Sequence, residues 1–308
     1  MRRFLEDVIR SEEVRFGLLV STGLVVITGL VRAIVDTSTG RHRLPAPWAG
    51  LLVAGAGLAV MSRHATLPLG VVVGLPLLLA AGLLGRRPWE VILGALPGAA
   101  AIVYLSEFPP ADFQPWLVVV VAIAAGMVVD FDRVFRRAAV GPPFLFITML
   151  GVVVTVPDTE LPLGLAAAAL PAAIAGFPLR MLSLGPGGAA AVGLIGYVAA
   201  DAGMSRPGAI VGAVGAVGLM LVEPIGRWLS RRSPTALQDL AASGVRGVLI
   251  LGAIHALLVV GITRFAGLRS ELLTAALFAV PFFAVGVILA AAPGRTRARR
   301  SKVSTGAS

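Results

Sequence analysis

The sequence predicts an all-α membrane protein, a polytopic transmembrane bundle of about eleven helices. Hydrophobic residues make up 57% of its 308 residues and only 14% are charged, whereas soluble domains carry about 25% charged residues. The mean hydropathy is +0.92. This composition excludes a water-soluble globular enzyme, and also a disordered chain, which needs low hydrophobicity and high charge.

Eleven apolar runs between charged or proline-rich breaks are predicted to cross the bilayer. We expect each to be a helix, because in lipid every crossing segment must satisfy its own backbone hydrogen bonds. The runs are 16–35, 48–62, 67–85, 90–106, 116–130, 141–156, 161–178, 186–203, 207–224, 244–262 and 271–292. Several are shorter than the usual ~20 residues of a crossing. The run 48–62 either crosses or is re-entrant, so the count is ten or eleven.

Every second connection is rich in arginine, which sets the orientation. The positive-inside rule places these connections and the C-terminus in the cytoplasm. With eleven spans, 18 of the 26 Arg and Lys residues face the cytoplasm, and with ten spans 19 do. Charge therefore does not decide whether the N-terminus lies outside, as eleven spans require, or inside.

A weak internal repeat of four helices favours eleven spans. The sequence Leu-Pro-Leu-Gly at 67–70 recurs at 161–164, and under this alignment 48–62 corresponds to 141–156 and crosses. Chance is the alternative explanation, because Ala, Gly, Leu and Val dominate both copies and such matches arise easily.

The segments at both ends, and one connection, differ from the apolar runs. Residues 1–15 predict an interfacial amphipathic segment, 16–292 the multi-pass domain, and 293–308 a basic, disordered cytoplasmic tail attracted to anionic lipid heads. In the long connection 225–243, Ser233 is expected to cap a short surface helix.

Composition also limits partners and location. The basic residues are 25 arginines and one lysine, a bias that indicates GC-rich coding and hence a bacterial cytoplasmic (inner) membrane protein. The net charge of +10 is explained by cytoplasmic connections, so we predict the lipid bilayer as partner and no nucleic acid. The absence of cysteine excludes thiolate catalysis and cysteine-based metal centres.

One histidine and three prolines form the predicted substrate pathway. His255 lies near the middle of the run 244–262, where a polar side chain usually faces the bundle interior. The alternative, which an isolated histidine favours, is a structural hydrogen bond between helices. Pro76, Pro171 and Pro281 interrupt helices near their middles, as in transporters built from broken helices, although proline often only bends a membrane helix.

A charged cluster is predicted at the cytoplasmic ends of two spans. It consists of Asp130, Asp132, Arg133, Glu223 and Arg227. The Asp-Phe-Asp spacing is that of a metal–nucleotide motif, but a hard cation needs more oxygen ligands. We therefore interpret the cluster as a charged cytoplasmic helix end, where Arg133 and Arg136 are close enough to pair with the acids, and we predict no metal and no cofactor.

Three classes of function remain. Many spans, mid-helix prolines and the repeat favour a permease for a neutral or lipidic small solute. The scarcity of ionisable groups in the hydrocarbon region fits a non-catalytic scaffold or assembly partner of a larger membrane complex. An enzyme is the least expected class, because no paired carboxylates, HExxH or GxSxG motif is present.

Overall fold

The fold is helical throughout the part of the chain that the structure, a computed structural model, describes. That part is 11–39, 44–64, 66–106, 114–156, 160–203, 206–231 and 235–293. Apart from helices and turns, these ranges contain two isolated bridges, Ala46 with Leu182 and Thr235 with Pro293. The all-α prediction is therefore confirmed. The predicted tail, except Pro293, and most of the N-terminal segment lie outside the described residues.

Thirteen α-helices lie within these ranges. They are α1 (Glu12–Thr39), α2 (Ala49–His64), α3 (Leu69–Leu84), α4 (Pro88–Tyr104), α5 (Gln114–Phe135), α6 (Gly141–Thr155), α7 (Glu160–Gly176), α8 (Gly187–Gly203), α9 (Gly208–Gly215), α10 (Leu219–Ser230), α11 (Ala236–Ala242), α12 (Val245–Phe265) and α13 (Leu272–Ala291).

Three of these helices, α1, α12 and α13, are long and apolar enough to cross a membrane alone. The bent pair α9 and α10 adds a fourth span if it is counted as one. Six further apolar helices, α2, α3, α4, α6, α7 and α8, have 10–17 residues. The described residues thus hold three or four helices with the length and composition of a crossing, and the count of about eleven stays a prediction.

Close helix packing depends on glycine at the crossing points. Helices α3 and α4 form an antiparallel hairpin, and a Cβ atom on Gly74 would lie 2.7 Å from the carbonyl oxygen of Gly98. Where α1 packs on α7, a Cβ on Gly17 would lie 2.7 Å from the carbonyl oxygen of Gly164. Small residues let these backbones approach closely, as they do in known pairs of membrane helices.

Helix α2 connects the two ends of the bundle. At its start, the N–H groups of Ala49 and Gly50 donate to the carbonyls of Ser183 and Leu184, both at 3.0 Å. At its other end, Arg63 forms an ion pair of 2.6 Å with Glu12. Helix α1 therefore starts beside the end of α2.

The connections predicted to be cytoplasmic meet at one end of the bundle. Arg136 Nε donates to the carbonyl of Pro45 (3.2 Å) and Arg133 to that of Arg86 (2.8 Å). The N–H of Ala236 donates to the carbonyl of Ala292 (2.9 Å). We call this end, which comprises 44–50, 85–87, 130–140, 177–187, 223–231, 235–244 and 291–293, the basic end.

The surface helix in the long connection is confirmed, but its predicted cap is wrong. Helix α11 begins after Thr235, whose hydroxyl accepts the N–H of Gln238 at 3.4 Å while the Gln238 side chain accepts the N–H of Thr235 at 3.2 Å. This reciprocal capping box satisfies two free N–H groups at once. Ser233 lies outside the described residues. Leu237 and Ala241 are buried beneath the helix.

Candidate functional site

The centre of the candidate site is a break between α9 and α10. The two helix axes differ by 69°, and Gly218 at the break has φ 53° and ψ −124°. Residues with a Cβ atom rarely adopt this conformation, so the glycine permits the sharp change of direction.

A helix break leaves backbone N–H and C=O groups without their usual partners. Most are satisfied within the turn itself: Gly218 N–H donates to the carbonyl of Gly215 (2.9 Å), and Met220 N–H to that of Val217 (3.1 Å). The carbonyl of Ala216 and the N–H of Leu219 are not satisfied in this way, and both need partners from outside these helices.

His255 and Thr148 supply those partners. The N–H of Leu219 donates to His255 Nδ1 at 3.1 Å, and the Thr148 hydroxyl donates to the carbonyl of Ala216 at 2.8 Å. Because Nδ1 is an acceptor, the network assigns the proton to Nε2 of a neutral imidazole. Nε2 lies 3.0 Å from the carbonyl oxygen of Phe144 and donates to it.

The imidazole is fixed by packing as well as by hydrogen bonds. The ring of Phe144 stacks on that of His255 with centroids 4.4 Å apart and planes 8° apart, and His255 is fully buried. His255 is the eleventh of the 21 residues of α12. The break therefore lies at the depth of the middle of α12, and α6, α9, α10 and α12 meet there.

The charged cluster is divided into two groups by the structure. Arg227 donates to Asp130, and its Nε lies 3.7 Å from Glu223 Oε1. Glu223 Oε1 also accepts from Gln238 Nε2 at 3.3 Å and from the Thr235 hydroxyl at 3.5 Å. The side chain of Glu223 is 0% exposed and that of Asp130 15%. This group ties α5, α10 and α11 together at the basic end.

Asp132 and Arg133 belong to a second group. The Asp132 carboxylate accepts the N–H groups of Leu184 and Gly185, both at 2.8 Å, and thereby fixes the turn before α8. Arg133 donates to the carbonyls of Gly85 and Arg86 after α3, where a cation is favourable near a helix C-terminus. Asp130 and Asp132 lie two positions apart on one helix, so their side chains point in different directions.

Arg133 and Arg136 form no direct salt bridge with these acids in the described part of the chain, but the positive charge of Arg136 lies near Asp132. Asp130 instead pairs with Arg227. The side chains of Arg133 on α5 and of Arg136 in the following turn donate to backbone carbonyls. Among the described residues, no group of three or more His, Asp or Glu side chains is arranged to hold a metal ion.

The prolines of the predicted pathway are not brought together. Pro76 and Pro281 lie on exposed faces of α3 and α13, and Pro171 is half-buried in α7. These three helices do not pack extensively against one another. Of the predicted pathway residues, His255 is the one that lies at the break.

Sequence reasoning missed several residues of the site. Thr148 and Phe144 lie on α6, more than a hundred residues before His255, and no local pattern connects them. Thr235 and Gln238 had a readable signal, since they have the Thr-x-x-Gln spacing of a capping box.

No family model, curated protein or solved structure matches this chain.

Proposed function

We propose that the chain is an integral protein of a bacterial cytoplasmic membrane that crosses it eleven times, with the N-terminus outside and the C-terminus in the cytoplasm. Each predicted run coincides with one helix, or with the pair α9 and α10. Helix α2 starts beside Ser183 at the basic end and ends beside Glu12 at the other end of the bundle, which supports a crossing at 48–62. The arginines at the basic end support its cytoplasmic location, and the four-helix repeat would equate α2–α5 with α6–α10.

The activity we propose is permeation of a neutral or lipidic small solute, and the α9–α10 break is the observation that carries it. Many secondary transporters bind substrate at the unwound part of a discontinuous helix near the bilayer centre. Here the carbonyl of Ala216 and the N–H of Leu219 point to side chains of other helices. A solute could exchange with those side chains for the same hydrogen bonds.

The charges near the break favour a solute without net charge. His255 is neutral in the network described above, and its nitrogens already have backbone partners. The acid nearest along the chain, Glu223, lies one turn further along α10 and faces Arg227. An ionic solute at the break would therefore lack a counter-ion, and an unpaired charge in a low-dielectric environment is costly.

A flux assay with two matched threonine variants tests this proposal. Thr148 and Thr155 are both fully buried on α6, but the Thr155 hydroxyl donates to Val152 in its own helix. The purified protein in liposomes should conduct one class of neutral solute. Thr148→Val should change that flux several-fold because it frees the carbonyl of Ala216, whereas Thr155→Val should leave it unchanged. Equal effects of both variants would contradict a role for the break.

The second candidate is a membrane scaffold that assembles with other proteins. It is favoured by the hydrogen bonds at the break, because His255 and Thr148 already occupy the Leu219 N–H and the Ala216 carbonyl. This alternative predicts no flux of any solute class and a stoichiometric partner that co-purifies from the native membrane.

A further inference from the structure

A cavity of about 380 Å³ lies at the basic end, between the end of α5, the turn after α7 and the surface helix α11. It is lined by Val134, Phe135, Arg137, Ala138, Arg180, Gln238, Ala241, Ala242 and Gly244. Sites for small molecules usually have volumes of ~300–1,000 Å³ and combine apolar walls with a few polar groups. This cavity has an apolar wall, two guanidinium groups, one amide and no carboxylate.

The two arginines of the cavity differ from Arg133, Arg136 and Arg227 in their partners. Arg133 and Arg136 are held by backbone carbonyls, and Arg227 is held by carboxylates. Arg137 and Arg180 are exposed, and no side-chain hydrogen bond or ion pair holds either of them within the described part of the chain. Two guanidinium groups on one cavity without an acid between them favour an anionic ligand.

The backbone that carries Arg180 is well fixed. Arg180 has φ 52°, a left-handed conformation that non-glycine residues rarely adopt. Its N–H donates to the carbonyl of Gly176 at 2.7 Å, and the next N–H, of Met181, donates to that of Ala175 at 2.8 Å. On the opposite wall, Gln238 is held by the α11 capping box and by Glu223. The polar groups of the cavity are therefore anchored on rigid elements.

We propose that this cavity binds a phosphate group, either the headgroup of an anionic phospholipid or a soluble phosphate ester. The guanidinium fork matches phosphate oxygens with two parallel hydrogen bonds. Basic pockets between helices on the cytoplasmic side are also where anionic headgroups bind in membrane proteins. The apolar wall of Val134, Phe135 and Ala138 accommodates the part of the ligand that the phosphate carries. The site is separate from the α9–α10 break and does not depend on transport.

Binding to the full-length protein tests the site with defined probes. Phosphatidylglycerol, phosphatidylcholine and inorganic phosphate would each be titrated onto delipidated protein, with native mass spectrometry and thermal unfolding as readouts. Phosphatidylglycerol should bind and raise Tm, and phosphatidylcholine should do so far less. Binding of inorganic phosphate with equal affinity would identify a soluble ligand, and binding of phosphatidylglycerol alone a lipid. No preference of the protein for either phosphate probe over phosphatidylcholine would overturn the proposal.

Matched variants separate the cavity from the general positive charge of this end. Arg137→Gln with Arg180→Gln should weaken phosphate binding at least about tenfold, because two charge-assisted hydrogen bonds are lost. Arg87→Gln with Arg231→Gln removes the same charge from exposed residues that do not line the cavity and should bind as the unmodified protein does. Equal weakening in both pairs would overturn the proposal.

A third variant keeps the test valid if the arginine pair does not fold. Ala242→Trp fills the cavity from the exposed surface helix and retains every arginine. It should also abolish binding of the phosphate probe. Unchanged binding in Ala242→Trp would exclude this cavity as the site.

Discussion

The Nδ1 atom of His255 accepts a hydrogen bond from the backbone N–H of Leu219, so a side chain of α12 caps the first residue of α10. The same imidazole donates through Nε2 to the carbonyl of Phe144 on α6. One buried ring thus connects three helices at the place where the fourth, α9, ends. The helix break is therefore stable because its exposed backbone groups have protein partners.

Replacing His255 should destabilise the fold strongly. His255→Leu would leave the Leu219 N–H buried without a partner, at a cost of ~1–3 kcal/mol, and would also remove the bond to the Phe144 carbonyl. His255→Asn should cost less, because an amide oxygen can accept the Leu219 N–H. Thermal unfolding in detergent measures both variants. If His255→Leu were as stable as the unmodified protein, the capping role would be wrong.

Gly218→Ala should destabilise the break through two effects. Its φ of 53° is unfavourable for alanine, and the new Cβ would lie 2.9 Å from His255 Nδ1 and 3.0 Å from Cε1. Residues held in such backbone regions cost ~1–3 kcal/mol.

Gly252→Ala is the matched control, since Gly252 lies inside α12 with nothing within 4 Å of an added Cβ. Alanine there should stabilise the helix slightly, by ~0.5–1 kcal/mol. The two variants should therefore shift Tm in opposite directions in the same unfolding assay. A similar shift in both would show that the geometry of the break does not require glycine.

Arg227→Gln should be more destabilising than Glu223→Gln. Removing the arginine leaves two carboxylates, one of them fully buried, without their cation, and breaking a buried ion pair by removing one partner costs ~3–5 kcal/mol. Removing Glu223 leaves Arg227 paired with Asp130. Adding Glu223→Gln to Arg227→Gln should restore part of the lost stability, which a double-mutant cycle of unfolding measurements checks. Simple additivity of the two effects would contradict the coupling.

The elements of this fold could be predicted largely because long apolar runs alternate with charged connections along the sequence. The run 244–262 and α12 (Val245–Phe265) differ by a few residues, and 271–292 and α13 by less, since long apolar runs between charges have one solution in a bilayer. Within the run 207–224, Gly212 packs closely on Gly267 beyond α12, since an added Cβ would lie 2.6 Å from the Gly267 Cα.

The break within that same run could not be predicted. A glycine that packs closely and a glycine that adopts positive φ look alike in a sequence, so Gly215 and Gly218 gave the same signal although the second ends the helical path. The side chains that bind the backbone at the break could not be predicted either. Thr148 and His255 are 107 positions apart, and their meeting is decided by tertiary packing rather than by any periodicity.

The charged cluster shows the same limit in electrostatics. Asp130 and Asp132 are the same residue type two positions apart, yet one pairs with Arg227 and the other binds the turn at Leu184 and Gly185. The sequence placed all these charges at the ends of two runs, and the structure brings those ends together at the basic end. It could not assign partners, because successive helix positions point about 100° apart and the neighbours come from distant segments.

The side on which each end of α2 lies distinguishes eleven spans from ten. The chain has no cysteine, so single cysteines can be introduced without a background. Leu44→Cys and Thr66→Cys place exposed thiols just before and just beyond α2.

In intact cells a membrane-impermeant maleimide should label the cysteine at 66 alone, and it should label both cysteines after the membrane is opened. An Arg231→Cys variant should be protected in intact cells, as the positive-inside rule requires of the basic end. If the cysteines at 44 and 66 were both labelled or both protected in intact cells, α2 would be re-entrant and the N-terminus would lie on the same side as the C-terminus.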